Sequence, residues 1–127
     1  MNTAVVSVGS NINPKENIET AKKKVSIEFN LIRSSSFKET KPIGFEDQDD
    51  FYNGAFLFQT DKELDEVNIV LKKIEVDIGR TKTSNKQGPR EIDLDIIVWN
   101  NVVVDNDVYE RKFLQSSILE LIPGFVF

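Results

Sequence analysis

The chain has 127 residues, of which 16 are basic and 21 acidic, and it contains neither cysteine nor histidine. We expect one domain that spans residues 1–127. The missing residue types exclude a disulfide framework and the nucleophiles and zinc sites that usually depend on cysteine or histidine. The net charge of −5 argues against nucleic acid as a partner, and the N-terminal apolar run is too short to span a membrane. The chain is therefore expected to be cytoplasmic.

The N-terminal segment predicts a strand and then a capped helix. Residues 3–8 form a β-branched run that is apolar on both faces, which indicates a central strand. Gly9-Ser10-Asn11 is interpreted as a turn, with a ligand-binding loop as the alternative. Asn13 is the predicted N-cap, Pro14 follows at the first helical position, and Glu16 would complete a capping box. The apolar face of this helix consists of Ile18, Ala21 and Val25.

A second strand is predicted over residues 30–40, and residues 41–50 are expected to form a surface loop. Residues 51–59 alternate as a third strand, which places Phe51, Asn53, Ala55 and Leu57 on one face and Tyr52, Phe56 and Phe58 on the other. Asn53 is unusual among these neighbours. Its amide suits the edge of a heterocycle, and the alternative is a core asparagine that is satisfied by the backbone.

The second half of the chain predicts another helix and a fourth strand. Thr60 and Glu63 indicate a capping box before a helix that ends at Gly79. The apolar stripe of this helix is Leu64, Val67, Leu71, Ile74 and Ile78. A basic loop over residues 80–90 leads into a strand over residues 91–98.

The C-terminal part predicts a hairpin and a short helix. Asn100-Asn101 is typical of a tight turn, here into a short strand over residues 102–104, and a helix is expected around residues 114–121. The order β-α-β-β-α-β predicts an α+β, ferredoxin-like sandwich with an added short strand and a C-terminal helix.

Paired aspartates carry the main chemical signal. In a strand Asp93 and Asp95 project from one face, about 6.5–7 Å apart along the chain. Hard carboxylate ligands of this kind suit magnesium, which also takes substrate phosphates as ligands. A bare Asp-x-Asp is more often the solvated face of a strand, and a basic loop alone is often a matter of solubility. The cations that precede the pair favour polyphosphate with magnesium instead; they are Arg80, Lys82, Lys86 and Arg90.

Several stretches of the chain together resemble the hydroxymethyl-dihydropterin pyrophosphokinase family. The similarity is carried by Val8-Gly9-Ser10-Asn11, Thr40-Lys41-Pro42-Ile43-Gly44, Asp50-Phe51-Tyr52-Asn53, Ile74-Glu75, Gly79-Arg80 and Gly88-Pro89-Arg90-Glu91-Ile92-Asp93-Leu94-Asp95-Ile96. The resemblance implies transfer of pyrophosphate from ATP to the hydroxymethyl group of 6-hydroxymethyl-7,8-dihydropterin in folate synthesis, which yields AMP. The expected partners are ATP and a reduced pterin, and the expected state is a monomer.

The resemblance also implies residue roles. Asp93 and Asp95 would hold two magnesium ions with ATP, and Arg80 and Arg90 would act on the phosphates. The implied ATP contacts are Glu75, Lys82, Ile96 and Arg111. The implied pterin contacts are Thr40, Ile43, Phe51, Asn53 and Phe113, with the ring stacked between the two phenylalanines.

Some features depart from the family pattern. The connection from Val104 to Arg111 is short and lacks the usual histidine, Lys82 stands where an arginine is common, and Gln87 replaces a common tryptophan. We therefore expect weaker ATP affinity or slower loop closure. Two rival hypotheses stay open: a weakened relative that serves as a nucleotide- or pterin-binding or regulatory module, and an RNA-binding module of the same strand order.

Overall fold

The computed structural model describes residues 1–41, 48–79 and 90–127. Its elements are β1 (Asn2–Ser10), α1 (Pro14–Glu28), β2 (Asn30–Ser34), β3 (Lys38–Thr40), β4 (Phe51–Thr60), α2 (Leu64–Ile78), β5 (Asp93–Trp99), β6 (Val102–Val103), α3 (Asp107–Glu110) and α4 (Lys112–Leu121). Within the ranges described, no helix is long and apolar enough to cross a membrane.

The strands form one antiparallel sheet in the order β2-β4-β1-β5-β6, with β3 also paired to β4. β2 and β3 lie in succession along β4, so they act as one interrupted strand. With that strand counted once, the sheet has the order of a ferredoxin-like sandwich, and the predicted α+β fold class is confirmed. The central position of β1 agrees with its unbroken apolar run.

Helices α1 and α2 cover the first face of the sheet. The core beneath them includes Val6, Phe56, Phe58, Leu71 and Leu94, all at most 1% exposed. Phe56 and Phe58 were predicted to share one face of β4, and both lie in this core, so the predicted alternation is confirmed for these two residues.

Among the described residues, α3 and α4 cover part of the second face. Ala55 and Leu57 of β4 pack there with Ile118 of α4. A bulge in β5 adds to the apolar surface on this face. Val5 pairs with Val98 and Val6 with Ile96, so Ile97 has no pairing partner on β1. Ile97 and Val98 therefore both pack in the core under α4. The two helices leave the Asp93 end of β5 uncovered, and this end forms the candidate site.

Both predicted capping boxes are wrong in detail. Asn13 precedes α1 as predicted, but it has a left-handed backbone (φ 41°) and its side chain makes no cap hydrogen bond. At α2 the N-cap is Glu63, whose N–H donates to Glu66 Oε1 at 3.3 Å, while Thr60 Oγ1 accepts the N–H of Lys62. Glu66, in the first turn, therefore supplies the carboxylate that accepts the N–H of the N-cap residue, the role predicted for Glu63.

Other boundaries also differ from the prediction. The strand expected over residues 30–40 is interrupted, because Ser35 turns its hydroxyl inward to accept the N–H of Ala55 at 2.8 Å. The turn predicted at residues 9–11 begins later, because Gly9 and Ser10 belong to β1. The tight turn at Asn100 and Asn101 is confirmed, with positive φ at both residues.

Candidate active site

A cavity of about 240 Å³ lies on the uncovered part of the second sheet face. Residues of β1, β4 and β5 form its floor, and the segment from Asp105 to Leu114 forms one wall. The cavity brings together eight of the predicted site residues: Thr40, Phe51, Asn53, Arg90, Asp93, Asp95, Arg111 and Phe113.

Asp93 and Asp95 lie side by side on the floor of this cavity. They pair with Gly9 and Ser7 of β1, and Leu94 between them points into the core beneath α1 and α2. The structure thus places both carboxylates on one face, as the strand period predicts. Within the three described ranges no group of three or more acidic side chains is arranged to hold a metal ion. Two carboxylates fit magnesium that takes its other ligands from water and phosphate.

Lys72 of α2 reaches around the edge of the sheet to Asp95. Its ammonium lies 3.1 Å from Asp95 Oδ1, donates to the carbonyl of Leu94 at 2.8 Å, and contacts Glu75 Oε2 at 3.2 Å. Partial burial disfavours the charged ammonium, but the carboxylates of Asp95 and Glu75 outweigh this effect and raise the pKa of Lys72 above its ordinary value.

Two residues predicted to contact the nucleotide do not line the cavity. Glu75 is 3% exposed, and its Oε2 accepts the N–H of Leu94 at 2.7 Å. Ile96 packs against the core beneath α1 and α2, on the opposite side of β5 from the aspartates. Neither residue is among those that line the cavity. Contact between either residue and ATP stays a prediction.

The end of the cavity farthest from β5 is shaped by an asparagine and a threonine. Asn53 Nδ2 donates to Thr40 Oγ1, so the two predicted pterin contacts are partners across the β3–β4 pair. Gly9 makes this arrangement possible, because a Cβ atom there would lie 2.8 Å from Asn53 Oδ1. Phe51 and Phe113 also line the cavity, as a stacking pair requires.

Arg90 is positioned by a buried asparagine. Asn11, 5% exposed, accepts the N–H of Arg90 on Oδ1 at 2.8 Å and donates its own N–H to the Arg90 carbonyl at 3.1 Å. Its Nδ2 donates to Gln48 Oε1 at 2.7 Å and to the Asp49 carbonyl at 3.0 Å. One side chain therefore ties the turn after β1 to the segments before β4 and β5.

The second arginine of the cavity, Arg111, has an acidic neighbour that the sequence reasoning missed. Asp107 lies one helical turn before it, with Oδ2 3.8 Å from an Arg111 nitrogen, and both line the cavity. Asp105 lines it too and accepts the N–H of Asp107 at 3.0 Å, which starts the unpredicted helix α3. The sequence signal that could have indicated these two residues was the Asp-x-Asp pattern of Asp105 and Asp107, in the short connection between Val104 and Arg111.

Three further residues of the site had no predicted role. Ser7 and Lys41 line the cavity, and Lys72 contacts Asp95. For Lys72 the signal was its position three residues before Glu75 on one helix. Three predicted site residues, Ile43, Arg80 and Lys82, lie outside the described residues, so their roles stay predictions.

Comparison with known proteins places this architecture in a family. Residues 5–123 match the model of the 7,8-dihydro-6-hydroxymethylpterin-pyrophosphokinases. The chain belongs to this family. It is 33% identical over 141 residues to the 2-amino-4-hydroxy-6-hydroxymethyldihydropteridine pyrophosphokinase of Haemophilus influenzae, an alignment that covers 99% of the chain and 85% of that protein.

Two more relatives show how the chain compares in length. The enzyme of the same name from Bacillus subtilis is 30% identical over 131 residues, which cover 94% of the chain and 78% of that protein. The folic acid synthesis protein FOL1 of Dictyostelium discoideum is 33% identical over 135 residues, which cover 98% of the chain but only 20% of the relative. The chain thus spans about a fifth of that longer protein. The predicted family and its enzyme class, a pyrophosphate-transferring kinase of folate synthesis, are confirmed by these matches.

Proposed function

We propose that this chain transfers pyrophosphate from ATP to the hydroxymethyl group of 6-hydroxymethyl-7,8-dihydropterin and releases AMP. The observation that carries the proposal is the single cavity in which paired carboxylates, two arginines and an aromatic, amide-bearing pocket converge. In the reaction the hydroxymethyl oxygen bonds to the β-phosphorus of ATP and releases its proton to solvent, the bond from that phosphorus to the α,β-bridging oxygen breaks, and AMP leaves.

The proposal assigns the two functions of the cavity to its two ends. Asn53 and Thr40 would hydrogen-bond the pterin edge, and Phe51 and Phe113 would stack on its faces. The hydroxymethyl arm would then point toward the aspartates. The cavity volume of about 240 Å³ is small for two substrates, so the nucleotide would extend outward past β5.

Asp93 and Asp95 are the proposed ligands of magnesium, two ions in all, together with ATP. When bound, magnesium neutralises the phosphate oxygens on which charge builds during transfer. The contribution of the chain is to hold the carboxylates on a rigid strand at the cavity floor. Arg90 and Arg111, with Arg80 and Lys82 from the basic loop, would clamp the phosphates. Such a loose transition state needs no strong base, so the lack of histidine is no obstacle.

The direct test is to incubate the protein with ATP, magnesium chloride and the pterin alcohol and to measure AMP by chromatography. We expect AMP and pterin pyrophosphate in equal amounts, with neither formed when the pterin is left out. The Asn53→Ala variant is expected to raise the KM for pterin with little change in the KM for ATP. Binding of both substrates without AMP formation would contradict the proposed transfer.

The state of the protein is also part of the proposal. We propose a monomer, because the cavity is built from one chain, and a cytoplasmic location, to which the lack of cysteine is suited. Sedimentation equilibrium at the 14.5 kDa mass of one chain would support the first point, and a dimer mass would contradict it.

A further inference from the structure

The outer edge of β5 is closed by side chains of α2. β6 pairs only with Val98 and Trp99, so within residues 1–41, 48–79 and 90–127 no strand pairs with the outer edge of β5 at its aspartate end. Leu94 there has both backbone groups satisfied, its N–H by Glu75 at 2.7 Å and its carbonyl by Lys72 at 2.8 Å. At this point the Lys72 and Glu75 side chains make the hydrogen bonds that a neighbouring strand would make.

This edge contact also brings a positive charge to the candidate metal site. The Lys72 ammonium lies 3.1 Å from Asp95 Oδ1, and within the described part of the chain it is the only side chain that bonds to the Asp95 carboxylate. Asp95 lines the cavity and its side chain is 43% exposed, so the carboxylate also faces the site. One acidic side chain is therefore shared between a fixed internal cation and the cavity.

We propose that Lys72 is a resident counter-cation that keeps Asp93 and Asp95 from holding divalent metal ions until ATP is present. The inference deepens the proposed function and rests on the role proposed for the two aspartates. A metal ion that binds alone beside Asp95 is repelled by the fixed ammonium only a few ångströms away. ATP phosphates reverse the balance, because their negative charge is attracted to the ammonium as well as to the metal.

The inference predicts changes of opposite sign when Lys72 is replaced. In Lys72→Met the free protein should bind a divalent ion alone roughly fivefold more tightly, since a partly solvated unit charge at this distance is worth about that factor. The same variant should bind the metal–ATP complex more weakly, because an attraction to the phosphates is lost. Disruption of the fold would weaken both, so a gain for the metal alone separates the charge effect from a structural one.

The experiment is a titration of manganese into the free protein, followed by electron paramagnetic resonance, and a second titration with a non-hydrolysable ATP analogue present. Lys73→Met is the matched control, because Lys73 is an exposed neighbour on the same helix and the charge change is identical. Lys72→Arg keeps the charge and should behave like the parent. Circular dichroism checks that each variant is folded.

The outcomes separate the inference from the function on which it rests. Tighter manganese binding by Lys72→Met but not by Lys73→Met supports the inference. Unchanged or weaker binding overturns it, even if Asp95→Asn removes the manganese site as the proposed function requires. Manganese binding that persists in full in Asp95→Asn, with and without the ATP analogue, would instead contradict the proposed role of the aspartates.

Discussion

The close approach of Gly9 to Asn53 gives a sharp test of the pterin end of the cavity. In Gly9→Ala the new methyl group would lie 2.8 Å from Asn53 Oδ1, so the amide must withdraw by about 0.6 Å to regain ordinary contact at 3.4 Å. Because the obstructing atom is the end of a side chain, we expect a loss of only about 1 kcal/mol in the free energy of unfolding.

The expected effect on catalysis is larger than the effect on stability. A misplacement of about 1 Å costs on the order of 10²-fold in rate, so a shift of about half that size should lower kcat/KM for the pterin roughly tenfold. The KM for ATP should stay the same, since Asn53 is assigned to the pterin. Steady-state kinetics with each substrate varied in turn, beside denaturant unfolding, measures both effects.

A double-mutant cycle gives the refuting result. In an Asn53→Ala background the amide is gone, so adding Gly9→Ala should change neither stability nor kcat/KM for the pterin further. An equal loss in both backgrounds would refute the steric explanation. So would a Gly9→Ala variant whose kcat/KM for the pterin equals that of the parent.

The remaining predictions concern the supports of the site and the departures from the family. Asn11→Ala should lower the free energy of unfolding by about 2–3 kcal/mol, because the buried N–H of Arg90 loses its acceptor; denaturant unfolding measures this loss, and Asn11→Asp should recover part of it. Glu75→Ala should destabilise by about 1–3 kcal/mol by leaving the N–H of Leu94 unsatisfied, whereas Glu75→Gln keeps an acceptor there and should lose less in thermal unfolding. Lys82→Arg should tighten ATP binding severalfold in calorimetry, because a guanidinium binds phosphate through two parallel hydrogen bonds and an ammonium does not. Unchanged binding would contradict the expectation that Lys82 in place of the common arginine weakens ATP affinity.

The alternation of side chains along the strands allowed much of the site to be predicted from the sequence. Phe51 and Asn53 alternate with Phe56 and Phe58 across β4, so the division of this strand between core and cavity follows from a period of two. The same period sets Asp93 and Asp95 on one face. These are local properties of a strand, which the order of side chains determines by itself.

Other features depend on contacts that the local sequence pattern does not determine by itself. The ion pair of Lys72 with Asp95 requires α2 to lie along the outer edge of β5, and the bulge at Ile97 arises where β5 must present two adjacent residues to α4. Helix α3 forms because Asp105 bonds ahead to the N–H of Asp107 and Val108 is fully buried. Each depends on tertiary packing that overrides local preference.

The start of helix α2 shows why a short capping pattern is not enough to predict a helix boundary. Thr60-x-x-Glu63 has the sequence pattern of a capping box, but β4 continues through Thr60 and the helix begins only at Leu64. The strand pairing of Asn2 with Thr60 extends β4 to that residue. A short capping pattern therefore competes with the sheet, and here the sheet determines the boundary.

The central claim is that Asp93 and Asp95 bind the metal ions that accompany ATP. Its most direct measurement is a crystal structure with manganese, a non-hydrolysable ATP analogue and the pterin, in which anomalous scattering locates the metal. We expect two anomalous peaks, each within bonding distance of a carboxylate oxygen of this pair and of an analogue phosphate. A bound analogue whose metal ions touch neither aspartate would contradict it.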